Sequence, residues 1–120
     1  MATRPTLPSS TIRGTNAGET LNGTAGNDVI DGLGGADTMR GGAGNDMYVI
    51  DSIADVVVEN ANEGNDTVFT SVNYTLGANI ETLVANTALG LTLTGNSAAN
   101  TIFGNAGADT IFGGDGSDIL

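Results

Sequence analysis

A chain of 120 residues is long enough for one domain and short for two, and 19 glycines, two prolines and no tryptophan leave little bulk for a globular core. Fourteen acidic residues against three basic ones (Arg4, Arg13 and Arg40) give a formal charge of −11, which repels nucleic acid and anionic membrane surfaces and attracts cations. The lack of cysteine and histidine excludes disulfides, thiolate sites and the usual general base, so any metal must be held by oxygen, which suits Ca²⁺, Mg²⁺ or Mn²⁺.

Residues 1–13 read as an N-terminal extension. They lack the apolar core of a cleavable secretory signal, and no stretch of the chain approaches the length of a membrane span, so no membrane insertion is expected. From Gly14 the glycines fall into step every nine residues: GTNAGETLN from Gly14, GTAGNDVID from Gly23, GLGGADTMR from Gly32 and GGAGNDMYV from Gly41. The sixth position of each unit is acidic (Glu19, Asp28, Asp37, Asp46) and the eighth apolar (Leu21, Ile30, Met39, Tyr48). IDSIADVVV, from Ile50, keeps the phase through Asp55 and Val57 without the glycines, which closes a first block at residues 14–58.

Residues 59–94 read as degenerate connecting turns of the same winding. GNDTVF, Gly64 to Phe69, matches two residues late, yet Gly14 to Gly95 is 81 residues, nine units of nine, so the irregularities compensate. A second block, 95–120, holds GNSAANTIF, GNAGADTIF and GGDGSDIL, with Asn100, Asp109 and Asp118 at sixth positions and Ile102, Ile111 and Leu120 at eighth. It stops one residue short of a full unit, as a truncated piece would.

Six residues of G-G-x-G-x-D type suit turns, because glycine loses most entropy in a helix or strand and tolerates φ > 0. The three that follow, such as Thr38-Met39-Arg40 or Thr101-Ile102-Phe103, read as a short strand with the eighth position inward. Two such units per turn, stacked, give parallel strands on two faces around a thin core of Leu21, Ile30, Met39, Tyr48, Val57, Ile102 and Ile111. Stacking places each loop over the loop two units earlier, so sixth-position carboxylates converge along an edge. They would repel without a cation, and together with carbonyls of the glycine turns they supply the six or so oxygens that Ca²⁺ accepts.

These units resemble the GGxGxDxUx nonapeptides of the RTX calcium-binding family. The resemblance implies an all-β fold, a right-handed parallel β-roll (β-solenoid), with several Ca²⁺ ions each held between two loops that lie two units apart. The ligands it implies are the carbonyls at positions two and four and the side chain at six of the first loop, with the carbonyls at one and three and the side chain at six of the second. Carried over, the best site uses Thr24, Gly26 and Asp28 with Gly41, Ala43 and Asp46. A second uses Thr15, Ala17 and Glu19 with Gly32, Gly34 and Asp37, where Glu19 departs from the pattern by its longer arm. A third uses Asn96, Ala98 and Asn100 with Gly113, Asp115 and Asp118, and neutral Asn100 weakens the hold on its ion. A fourth pairs Leu33, Gly35 and Asp37 with Ile50, Ser52 and Asp55, where loop glycines are missing; Asp109 completes the set of metal ligands.

The resemblance further implies a secreted, extracellular module, exported by a bacterial type I route and folding as calcium binds. Two other functions stay open: an adhesin-type spacer or interaction surface, and the C-terminal repeat module of a larger secreted hydrolase. Outward threonines (Thr38, Thr67, Thr101, Thr110) suggest a surface that could bind glycans or ice, but Val29, Met47 and Val56 break the rows. Asp51, Glu59, Glu63 and Glu81 lie outside the motif and are expected on a solvated face, as is Asp31 at a ninth position. Phe103 and Phe112 are expected outside the roll. Terminal repeats expose a raw core edge, which leaves dimerisation through the end near Leu120 open. No GxSxG, HExxH, P-loop or EF-hand pattern is present, so catalysis within these residues is not expected.

Overall fold

A computed structural model describes residues 11–61 and 63–120, so residues 1–10 of the extension lie outside the described residues. Loops, glycine-rich in the two blocks, alternate with two- to four-residue strands, giving twelve strands among the described residues: β1 (Ile12–Arg13), β2 (Thr20–Asn22), β3 (Val29–Asp31), β4 (Thr38–Arg40), β5 (Met47–Ile50), β6 (Val56–Val57), β7 (Thr67–Thr70), β8 (Tyr74–Thr75), β9 (Thr82–Ala85), β10 (Thr92–Thr94), β11 (Thr101–Phe103) and β12 (Thr110–Phe112). The fold is an all-β solenoid of six turns, with no helix among the described residues. Every pairing is parallel, as a coil of loop, strand, loop, strand requires.

The odd strands form one six-stranded sheet, β1-β3-β5-β7-β9-β11. The even strands form two three-stranded sheets, β2-β4-β6 and β8-β10-β12, so that face is split. In the first turns the register is a step of two units, with Leu21 opposite Met39 and Ile30 opposite Tyr48. Eighth-position side chains therefore stack in two inward rows. Ile30, Met39, Tyr48 and Ile102 are fully buried or nearly so, Val57 is buried, and Leu21 and Ile111 pack part-buried at the outer turns.

The middle turns keep the odd sheet unbroken. Met47 pairs with Thr67, Thr67 with Thr82 and Thr82 with Thr101. The first and third of these steps are longer than a regular turn and the second is shorter, and together they bring Thr101 to where three regular turns from Met47 would end. The irregularity is absorbed in the loops and on the even face, where β6 and β8 do not pair and an open groove lies between them, lined by Ile53, Val56, Tyr74 and Thr92 among others. Val68, Leu76, Ile80, Leu83, Leu91 and Leu93 extend the core through this stretch. Phe103 and Phe112 are more than half exposed, as their ninth positions predict.

Candidate metal sites

Winding by two units per turn lays the loops in two columns. One, ahead of the odd strands, carries Asp28, Asp46, Asp66, Glu81, Asn100 and Asp118; the other, ahead of the even strands, carries Glu19, Asp37, Asp55, Asn73, Leu91 and Asp109. Within each column the sixth-position side chain is anchored by the loop before it. Asp28 N–H donates to Asp46 Oδ1 (2.9 Å), Glu19 N–H to Asp37 Oδ1 (3.0 Å), Asp37 N–H to Asp55 Oδ1 (2.9 Å), Leu91 N–H to Asp109 Oδ1 (2.9 Å) and Asn100 N–H to Asp118 Oδ1 (2.8 Å). The second oxygen faces its own loop: Thr24 N–H donates to Asp28 Oδ2 (2.7 Å), and Asn105 N–H to Asp109 Oδ2 (2.8 Å).

The best predicted pair is brought together. A Cβ on Gly23 would lie 2.5 Å from the Gly41 carbonyl oxygen and 2.6 Å from Asp28 Oδ2, so the first-position carbonyl of one loop and the sixth-position carboxylate of the other converge over a bare Cα. Gly14 holds the same relation to Glu19 Oε1 and the Gly32 carbonyl, and Gly95 to Asn100 Oδ1 and the Gly113 carbonyl. Of the four loop pairs carried over from the repeat pattern, three show this convergence. The longer arm of Glu19 reaches the spot where aspartate stands elsewhere.

The second- and fourth-position carbonyls of the first loop face the second loop. A Cβ on Gly42 would sit 2.9 Å from the Thr24 carbonyl oxygen and one on Gly44 2.5 Å from that of Gly26; both glycines have left-handed φ, 87° and 104°. Gly35 stands likewise against Ala17, and Gly114 and Gly116 against the carbonyl groups of Asn96 and Ala98. Ala43, Gly34 and Asp115 occupy the third positions of the same loops, with Ala43 and Asp115 exposed.

The fourth pair differs from these in the partner of its first-position carbonyl. The Ile50 carbonyl, its first-position ligand, accepts from Ser71 N–H (3.1 Å) in the run-on of β5 and is committed to the sheet. Asp55 Oδ2 accepts from Ser52 N–H (3.2 Å) within its own loop. Asp109 has Leu91 at the sixth position of the preceding loop, so no second carboxylate faces it there.

Burial makes the columns electrostatically costly. Asp37, Asp46 and Asp66 are buried, and each keeps an Oδ2 with no hydrogen-bond partner. Burial, reinforced by neighbouring carboxylates, pushes the Asp46 carboxyl up to about 6 and raises Asp37, Asp55, Asp66 and Glu81 above the usual carboxylate range. Orphaned buried carboxylate oxygens fit a hard cation: it would take the free lone pairs and cancel the repulsion.

Two acidic residues expected at the surface are inside. Glu59 is buried and accepts from the Tyr48 hydroxyl through Oε2, while burial pushes its carboxyl up to about 7. Asp31 is 1% exposed, its Oδ1 accepting from Leu33 N–H (3.0 Å) to cap the loop that follows. Neither follows from nine-residue phase. The only signal for Glu59 was an acid shortly after the last in-phase apolar residue, Val57.

Where carboxylates run out, amides bridge the turns. Asn96 Nδ2 donates to the carbonyls of Gly77 (2.8 Å) and Ile80 (2.9 Å), Asn100 Nδ2 to that of Ile80 (3.1 Å), and Asn79 Nδ2 to that of Glu59 (3.1 Å). A family model described as the RTX calcium-binding nonapeptide repeat matches residues 13–48 and 92–120, in 4 copies. No curated protein and no solved structure matches the chain.

Proposed function

The chain belongs to the RTX calcium-binding nonapeptide repeat family, and on that premise we propose that it is a module whose roll folds as its loops take up Ca²⁺. The observation that supports this best is the convergence over Gly23 of Asp28 Oδ2 and the Gly41 carbonyl, repeated at Gly14 and Gly95. The first block offers two such junctions, Asp28 with Asp46 and Glu19 with Asp37; the second offers one, in which Asn100 supplies a neutral oxygen. Mg²⁺ suits these sites less, because it demands strict octahedral geometry and keeps its waters.

Ion-free, the chain must hold buried carboxylates against one another around a thin core, so binding and folding become one event. That coupling suits export: unfolded in a calcium-poor cytosol, folded outside the cell. Circular dichroism tests it. β signal should rise between EDTA and about 10 mM Ca²⁺, a level at the weak, extracellular end of the affinity range; an unchanged spectrum would refute coupled folding.

A further inference from the structure

We propose that Asp46, Glu59 and Asp66 form a cation site of their own, built from three carboxylates, where the regular loops give way to the middle turns. The proposal rests on the calcium reading above and shares Asp46 with the repeat junctions, but adds Glu59, a ligand no repeat position supplies. The repeat sites take one side chain per loop and complete the shell with carbonyls, whereas here a third carboxylate, from outside any repeat motif, enters from the segment after β6.

One oxygen of each residue lies within 4.8 Å of the others. Two oxygens bound to one Ca²⁺ at roughly 2.3–2.6 Å stand at most about 5 Å apart, so the three could share one ion. All three residues are at least nine-tenths buried, at 2%, 7% and 1% exposure. Each has one oxygen fixed by a donor and one left over. Asp46 Oδ1 accepts from Asp28 N–H (2.9 Å), Asp66 Oδ1 from Asp46 N–H (2.9 Å) and Glu59 Oε2 from the Tyr48 hydroxyl. Among the described residues no donor reaches Asp46 Oδ2, Glu59 Oε1 or Asp66 Oδ2, and the Glu59 and Asp66 carboxyls lie close enough to share a proton.

Three positioned and buried carboxyl groups in one small space repel one another unless protons or a cation meet them, and a cation would satisfy all three at once. The anchors also make the arrangement rigid: Tyr48 is itself held, its hydroxyl accepting from Gly41 N–H (2.8 Å), and the Glu59 carbonyl accepts from Asn79 Nδ2. Three formal charges on one ion exceed those of any repeat junction here, so this site should fill first. A hard cation of Ca²⁺ size, or a lanthanide in its place, is the ligand class.

Tyr48 supplies the readout. The chain has two tyrosines and no tryptophan, so Tyr74→Phe leaves Tyr48 as the one tyrosine antenna for terbium. In the full chain carrying that change, the first equivalent of Tb³⁺ should give tyrosine-sensitised emission that Ca²⁺ displaces. Glu59→Gln, and independently Asp66→Asn, should remove most of it and lower the calcium stoichiometry at saturation by one ion. Unchanged emission and ion count in both variants would overturn the site. Should neither variant regain β signal in saturating Ca²⁺, the parent decides: a first bound ion without sensitised emission overturns it. A chain that binds no Ca²⁺ at all ends the calcium reading itself, whereas calcium-dependent folding with unaltered Glu59→Gln titrations overturns this site alone.

Discussion

Position one of the loop is glycine because oxygen occupies the space a side chain would take. Gly23→Ala would drive a Cβ into the Gly41 carbonyl and Asp28 Oδ2, at 2.5 and 2.6 Å, whereas the Cβ of Gly26→Ala would meet only Thr24 Oγ1 at 3.6 Å. In saturating Ca²⁺ the first change should cost about 1–3 kcal/mol by urea denaturation, as overpacking does, and the second less than about 1 kcal/mol. Equal costs would mean that the convergence over Gly23 does not exist. Charge at position six can be separated from shape: Asp28→Asn keeps an acceptor for Thr24 N–H and removes the anion. It should move the calcium midpoint upward by roughly tenfold, the equivalent of about 1.4 kcal/mol, with the loaded spectrum unchanged.

Columns of acid have a pH signature of their own. Asp46 at about 6 and Glu59 at about 7 both lie above the ordinary carboxylate range near 4, chiefly because they are buried. The ion-free roll therefore binds more protons than the unfolded chain. The stability these two groups contribute is fully present below about pH 4 and is lost as pH rises through about 6 and 7. In EDTA, β signal should grow as pH falls from about 7.5 toward 5, and the calcium midpoint should rise over the same window because protons compete for the same oxygens. A spectrum in EDTA that does not respond to pH would show that these groups are not buried together in the ion-free chain.

The middle turns stay wound by a different device from the blocks beside them. At the Gly77–Glu81 loop the amides of Asn96 and Asn100 donate to carbonyls of the preceding turn. A side-chain donor there occupies the acceptors that a cation would otherwise satisfy. Asn96→Asp would turn a carboxylate oxygen toward the Gly77 and Ile80 carbonyls, and since Asn100 Nδ2 still serves the Ile80 carbonyl the lost donor should cost about 1 kcal/mol. That loss should persist at saturating Ca²⁺ in thermal or urea unfolding. Rescue by excess Ca²⁺ would instead mean that the amide stood in a latent ion site.

Across the whole molecule the two faces differ in continuity. The odd sheet runs through six hydrogen-bonded strands, while the even face is interrupted between β6 and β8. Local opening starts where few neighbours hold the backbone. Native-state hydrogen exchange in Ca²⁺ should therefore find the amides of Val56–Val57 and Tyr74–Thr75 less protected than those of β5, β7 and β9. Uniform protection would require a pairing across the groove that the structure lacks. The split face also leaves Ile53 and Val56 at 79% and 50% exposure along the open groove.

Nine-residue phase alone determined which residues turn, which enter the core and which face one another. Those relations are local or fixed by a constant step of two units, so Ile30 over Tyr48 and Asp28 behind Asp46 could be read from glycine spacing. Tertiary structure decided what happens when the step changes. That long and short steps compensate on the odd face and open a groove on the even one depends on which loops can swallow or give up residues while the core rows stay aligned. The same slippage carried Glu59 inward to Tyr48 and Asp66, committed the Ile50 carbonyl to Ser71 and turned asparagine amides toward the turns before them. Such contacts join residues with no common repeat position, and only packing brings them together.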